Sequence, residues 1–254
     1  MAGLDGKFAL VTGAARGIGA AIAVELARKG ASVYLAASEP PDQLKKSAQA
    51  CAEANPGGRF GYGVFDFFED GGPEKMVAAA LKEFGRVDVL VNNAGIRISK
   101  NYGDYSGKDF DQAIAVNLKA PFLAGQAVIP GMKANGGGRI INIASQMGLV
   151  TDAQIALYGL TKAALIHLTK SMAFELAPHN ICVNAVSPGP VMTEFNAART
   201  DANPALKARR LSYIRTGRYG RPAEVAEAVA FLASSEGTYI QGHNLVIDGG
   251  YVTH

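Results

Sequence analysis

The chain has 254 residues, 48% hydrophobic and 19% charged, with a formal net charge of +3. It is long enough to bury a large core in one α/β domain and too apolar to stay disordered, and its scattered basic residues leave no footprint for nucleic acid. Two cysteines without CxxC spacing and four isolated histidines argue against a disulfide framework or a metal; Met1 to Gly6 carries no cleavable leader or membrane span, so a reducing, cytoplasmic setting is expected.

In chain order, short β-rich runs at Phe8–Thr12, Val33–Ala36, Phe60–Phe65, Val87–Val91, Arg139–Ile143, Ile181–Val186 and Asn244–Ile247 predict seven strands. Helical periodicity falls between them at Gly17–Lys29, Pro41–Asn55, Pro73–Phe84, Lys108–Asn135, Ile155–Ala177 and Pro222–Ala233. Pro121 and Gly125 predict that the fourth of these is bent or split. Several strands are continuous apolar runs, as in a parallel sheet covered on both faces, so the class is α/β, a doubly wound Rossmann-type fold with a seven-stranded parallel sheet. No linker divides residues 1–254, which read as a single domain. The stretch 189–220 reads as a substrate-covering loop and helix over the carboxyl edge of the sheet.

After the first strand, Thr12-Gly13-Ala14-Ala15-Arg16-Gly17-Ile18-Gly19 turns into a helix. Side chains there would keep a pyrophosphate from the backbone, and a helix N-terminus offers N–H donors and partial positive charge. The second strand ends Leu35-Ala36-Ala37-Ser38, without the acidic residue that repels a 2′-phosphate. Ser38 and Arg16 suit that phosphate, whereas Glu39 can stand in for the missing acid; the balance favours NADP(H) over NAD(H).

Tyr158 and Lys162, four residues apart on a helical pattern, share one face at about 5–6 Å between Cβ atoms. A cation about 4 Å from a phenol, at an effective dielectric of ~20, contributes about 4 kcal/mol and would bring a group of pKa ~10 toward use at neutral pH. Ser145 follows the fifth strand at the ligand-binding edge, and its neighbours Gln146 and Met147 are read as pocket wall. Taken singly, each has a plainer reading: core tyrosine, surface lysine, loop serine.

Together with Asp66, Asn92-Asn93-Ala94-Gly95, Asn117, Pro188-Gly189 and Asp248-Gly249-Gly250, these motifs resemble the short-chain dehydrogenase/reductase family over essentially the whole chain. The resemblance implies an enzyme that moves a hydride between a nicotinamide and a ketone or secondary alcohol. In it Tyr158 is the acid/base, Ser145 polarises the substrate oxygen and Asn117 holds a relay water. Lys162 also bonds the nicotinamide ribose. The cofactor is expected on Gly13, Arg16, Gly17, Ile18, Gly19, Ser38, Asp66, Phe67, Asn93, Ala94 and Gly95, with Pro188, Gly189, Val191 and Thr193 closing over its carboxamide.

The substrate, facing Ser145, Gln146, Met147 and Tyr158, is a small molecule left unspecified. Arg199, Arg209, Arg210 and Arg215 are read as a solvated helix face ahead of an anion-attracting one. The apolar breadth of the helices at Ala120–Met132 and Ile155–Ala177 exceeds what a sheet face needs, and the family pattern makes a homotetramer the expected assembly. The alternative function is a catalytically inactive member that senses nicotinamide or binds a partner.

Overall fold

The computed structural model describes residues 3–194, 196–197, 204–234 and 239–253. Its strands are β1 (Phe8–Thr12), β2 (Ser32–Ala37), β3 (Phe60–Val64), β4 (Val89–Asn92), β5 (Gly138–Ile143), β6 (Ile181–Pro188) and β7 (Asn244–Ile247). All pair in parallel, in the order β3-β2-β1-β4-β5-β6-β7, so the winding reverses between β1 and β4 and opens a crevice at their carboxyl ends.

Alternation along the strands builds two cores. Ala9, Val11, Leu35, Val91 and Ile141 pack with Ile22 and Leu26 of α1 (Gly17–Arg28), Leu44 of α2 (Pro41–Ala54) and Val225 and Val229 of a late helix at Pro222–Ala233. Leu10, Leu90, Ile140 and Val183 turn the other way, toward Met76 of α3 (Gly72–Phe84), Val128 and Met132 of α5 (Ala120–Ala134) and Leu176 of α6 (Ala156–Leu176). Each fully buried aliphatic side chain of this kind contributes about 1.5–3 kcal/mol.

Strand boundaries moved where side chains capture the backbone. The fourth strand starts at Val89, not Val87, because Asp88 is turned in to accept the Phe8 N–H at 2.9 Å and to pair with Arg86. The sixth runs two residues past its expected end because Ser187 and Pro188 register against Val246 and Ile247.

The predicted bend in the fourth helical segment is a change of helical register. An unbroken helical run joins α4 (Gly107–Ile114), opened by a Ser106/Asp109 capping box, to α5 through a π turn at Ala115–Lys119. Pro121, which has no N–H to give, falls just beyond that turn, where the ladder has already shifted. The 28-residue run is apolar enough by length and composition to cross a membrane, yet it packs against α3 and β5 as a core helix.

The stretch 189–220 begins and ends at one place. Val191 bridges Gly220 in parallel, with Met192 N–H to Gly220 C=O at 2.8 Å and Gly220 N–H to Pro190 C=O at 3.0 Å. Between them lies α7 (Pro204–Tyr213), followed by α8 (Pro222–Ala233). Residues 195 and 198–203, Arg199 included, lie outside the described residues.

Candidate active site

A cavity of about 740 Å3 occupies the β1/β4 crevice. At one end the chain leaves β1 through Gly13 (φ +63°) and Gly17 (φ +59°), left-handed conformations that favour glycine. A Cβ on Gly19 would lie 2.1 Å from the Gly13 carbonyl oxygen, so α1 can approach the turn this closely only with glycine there. No side chain caps α1 and no acid sits in its first turn, which leaves its N–H donors and partial positive charge facing the cavity through Gly17 and Ile18.

The turn is held from behind. Thr12 Oγ1 accepts the N–H groups of Asn93 and Ala94, both at 2.9 Å, and Asn93 Nδ2 donates to the carbonyls of Thr12 at 2.8 Å and Gly13 at 3.2 Å. The side-chain amide of Asn93 is thus spent on bracing the glycine turn, although Asn93, Ala94 and Gly95 do line the cavity. Asp66 and Phe67 line it beyond β3, with Asp66 Oδ1 accepting the Phe68 N–H at 2.8 Å. Ala37 is buried, Ser38 is exposed at the rim, and Arg16 pairs with Glu39 at 3.4 Å.

At the other end Ser145, Tyr158 and Lys162 converge. The ammonium of Lys162, only 3% exposed, donates to the Ile143 carbonyl at 2.8 Å, where β5 ends, and lies 5.7 Å from the Tyr158 ring centre. Burial brings its pKa down to about 8. Burial also pushes the Tyr158 phenol up, outweighing its hydrogen bond with Ser145 and the nearby charge of Arg97. The expected lowering by Lys162 is therefore not met: Lys162 is not among the groups that shift the phenol. The phenol is held protonated at neutral pH by desolvation, and the ammonium is committed to a main-chain carbonyl. Ser145 Oγ accepts the Met147 N–H at 3.1 Å, which orients it.

Of the residues read from the sequence as site residues, only Gly19 and Asn117 do not line the cavity. Gly19 works from behind, as above. Asn117, in the π turn and fully buried, accepts the Ile96 N–H at 2.8 Å and donates to the Ile96 carbonyl at 2.9 Å and Thr161 Oγ1 at 3.0 Å. It ties the segment after Gly95 to α6, and its Oδ1 and the Lys162 ammonium both border Gly95. Pro188, Gly189, Val191 and Thr193 line the cavity, Thr193 reaching across toward Gly17.

Sequence reasoning missed Thr12 as the brace, and Arg97, Ile155 and Tyr251 as cavity wall. Thr12 and Arg97 adjoin motifs already recognised, whereas Tyr251 reaches the site only because the carboxylate of Asp248 accepts the N–H groups of Gly250 and Val252 and turns the chain back. Gln146 Oε1, buried at the cavity, has no hydrogen-bond partner among the described residues, an acceptor available to a ligand's donor.

A protein-family model described as "Enoyl-(Acyl carrier protein) reductase" matches residues 13–252. The chain is 39% identical to D-threitol dehydrogenase of Mycolicibacterium smegmatis over 98% of its own length and 94% of the relative's. A short-chain type dehydrogenase/reductase from Mycobacterium marinum superposes with a TM-score of 0.91 at 37% identity, covering 99% of this chain and 98% of that one. A 3-oxoacyl (acyl-carrier-protein) reductase from Agrobacterium tumefaciens, solved with NADP bound, superposes with a TM-score of 0.92 at 34% identity over 98% and 95%. The chain belongs to the short-chain dehydrogenase/reductase family. It is an NAD(P)-dependent oxidoreductase, and the uncapped helix end, the close-approach glycines and the cavity volume of about 740 Å3 fit a dinucleotide.

The depressed pKa of Lys162 makes a stability prediction. The unfolded chain keeps this proton up to the ordinary value of 10.5 while the fold releases it near 8, so burying the charge destabilises the ligand-free protein below pH 8 and ceases to do so as pH rises through 10.5. Lys162→Met is expected to stabilise the ligand-free protein at pH 7 by up to about 3 kcal/mol, the gap narrowing from pH 8 upward. Urea unfolding across that range measures it; equal or lower stability at pH 7 would show the charge to be fully compensated.

Proposed function

We propose that the protein interconverts a ketone and a secondary alcohol, with Tyr158 as acid/base. The observation that carries this is that Ser145, Tyr158 and the buried Lys162 ammonium share one cavity with the glycine turn. NAD(P)H, when bound, supplies the hydride to the carbonyl carbon. In that direction the phenol, kept protonated by burial, gives its proton to the carbonyl oxygen. Ser145 donates to the same oxygen and steadies the charge developing there. Lys162 then faces the new phenolate at close range and favours it in surroundings where an unpaired charge is costly. Asn117 holds the backbone around this group, and the relay water of the family pattern belongs beside it. Gln146 and Met147 face the substrate.

The cofactor would lie with its pyrophosphate on Gly13, Gly17 and Ile18, its adenine near Asp66 and Phe67, and its carboxamide under Pro188, Gly189, Val191 and Thr193. Lys162 serves its nicotinamide ribose as well. Stretch 189–220 covers the substrate. Replacing Tyr158 by Phe is expected to remove at least 99% of turnover with any ketone or alcohol accepted, while cofactor affinity changes less than threefold. Steady-state rates and fluorescence titration of NAD(P)H read the two; retained activity overturns the assignment.

We further propose that NADP(H) is preferred over NAD(H). A 2′-phosphate would meet the Ser38 hydroxyl and displace Glu39 from Arg16, exchanging a carboxylate partner for a doubly charged one. Glu39→Gln is therefore expected to tighten NADPH binding about tenfold, roughly 1.4 kcal/mol, and to leave NADH within twofold. Competitive fluorescence titration distinguishes the two; equal changes for both nucleotides would refute the role.

A homotetramer joined through α5 and α6 is the proposed assembly. Leu160 and Phe122 are half-exposed and Phe174 is 88% exposed on these helices, apolar surface that a second subunit would cover. Static light scattering at micromolar concentration is expected to give four times the chain mass of 26.5 kDa, and a monomer would contradict it.

A further inference from the structure

The catalytic end of the cavity carries two cations that hydride and proton transfer do not use. Arg97, two residues beyond Gly95, lines the cavity with its guanidinium carbon 6.0 Å from the Tyr158 ring centre, and its Nε donates to Ser99 Oγ at 3.2 Å, which orients the arm. Arg210 lines the same cavity from α7. The acid at this end, Asp152, is ion-paired with Arg209, the neighbour of Arg210. The cavity's other acids belong to the nucleotide end: Glu39 follows β2, Asp66 follows β3, and Glu194 follows Thr193, which touches the glycine turn.

Cations are thus concentrated where the substrate must sit, among neutral neighbours such as Ile96, Met147 and Ile155. The buried phenol of Tyr251 lies within the fields of Asp152, Arg209 and Arg210 together, so the charges of the two α7 arginines reach the cavity wall and not only solvent. An apolar-walled cleft with an excess of one sign of charge focuses its field on an entering ion, and a guanidinium fork matches a carboxylate in shape.

We propose that Arg97 and Arg210 form a carboxylate-binding subsite, and that the substrate is a small hydroxy or keto acid whose reacting carbon lies at Tyr158. The reacting carbon rests on the oxidoreductase reading above, whereas the subsite does not. The sequence reading of Arg210 as part of a solvated face is revised accordingly, while Arg209 keeps a structural partner.

The test titrates the full chain calorimetrically, with and without saturating NADP+, using D-gluconate against uncharged D-glucitol and 3-hydroxybutyrate against 2-butanol. Each acid is expected to bind at least tenfold tighter than its neutral counterpart, and the advantage should shrink in 0.5 M salt. Arg97→Gln and Arg210→Gln should each weaken acid binding at least fivefold and leave the neutral compounds and NADP+ unaffected. If neither acid outbinds its counterpart, or the variants weaken acid and alcohol alike, the subsite is overturned. Acid binding that responds to both arginines without any turnover of the acids or alcohols upholds the subsite and overturns the oxidoreductase role of Tyr158.

Discussion

One ammonium group organises the end of the cavity where Ser145 and Tyr158 meet. Lys162 is carried by α6 into the interior, where its charge is costly, and the partner it finds is the carbonyl that β5 presents at its carboxyl end. That bond needs the strand to stop at Ile143 and the helix to cross at that height. Asn117 and Thr161 lock the same junction, Thr161 Oγ1 donating in turn to the Tyr158 carbonyl at 2.8 Å. Ser145 and Tyr158 are therefore positioned by the contacts that make a buried cation tolerable.

The same burial explains the state of the phenol. Desolvation acts on both titrating groups and favours the neutral form of each, so the tyrosine is kept protonated and the lysine loses its proton more readily than in water. Burial thus opposes ionisation of both together.

Much of this was legible from residue order. The apolar runs specify seven strands because each strand buries both faces, and all seven were found within two residues of their expected ends; the two-residue differences are at the start of β4, where a turned-in aspartate decides the boundary, and at the end of β6. Tyr158, Lys162 and Ser145 were legible because spacing on a helix and position after a strand are local properties. What spacing does not carry is which partner a polar group chooses. Asn93 braces carbonyls of β1, and Asn117 spends its amide on Ile96 and Thr161, choices settled by packing between segments far apart in the chain. Tyr251 and Arg210 enter the cavity wall through a C-terminal turn and a helix that no periodic pattern announces.

The parallel bridge between Val191 and Gly220 has a consequence for how such a protein diversifies. Because the excursion leaves and rejoins the body at adjacent points, its interior can lengthen, shorten or change composition without disturbing the register of any strand in the sheet. Loop-closure entropy grows only slowly with length, so such changes cost little stability. Change can then be confined to one tethered cassette while the sheet and the residues at its carboxyl edge stay as they are.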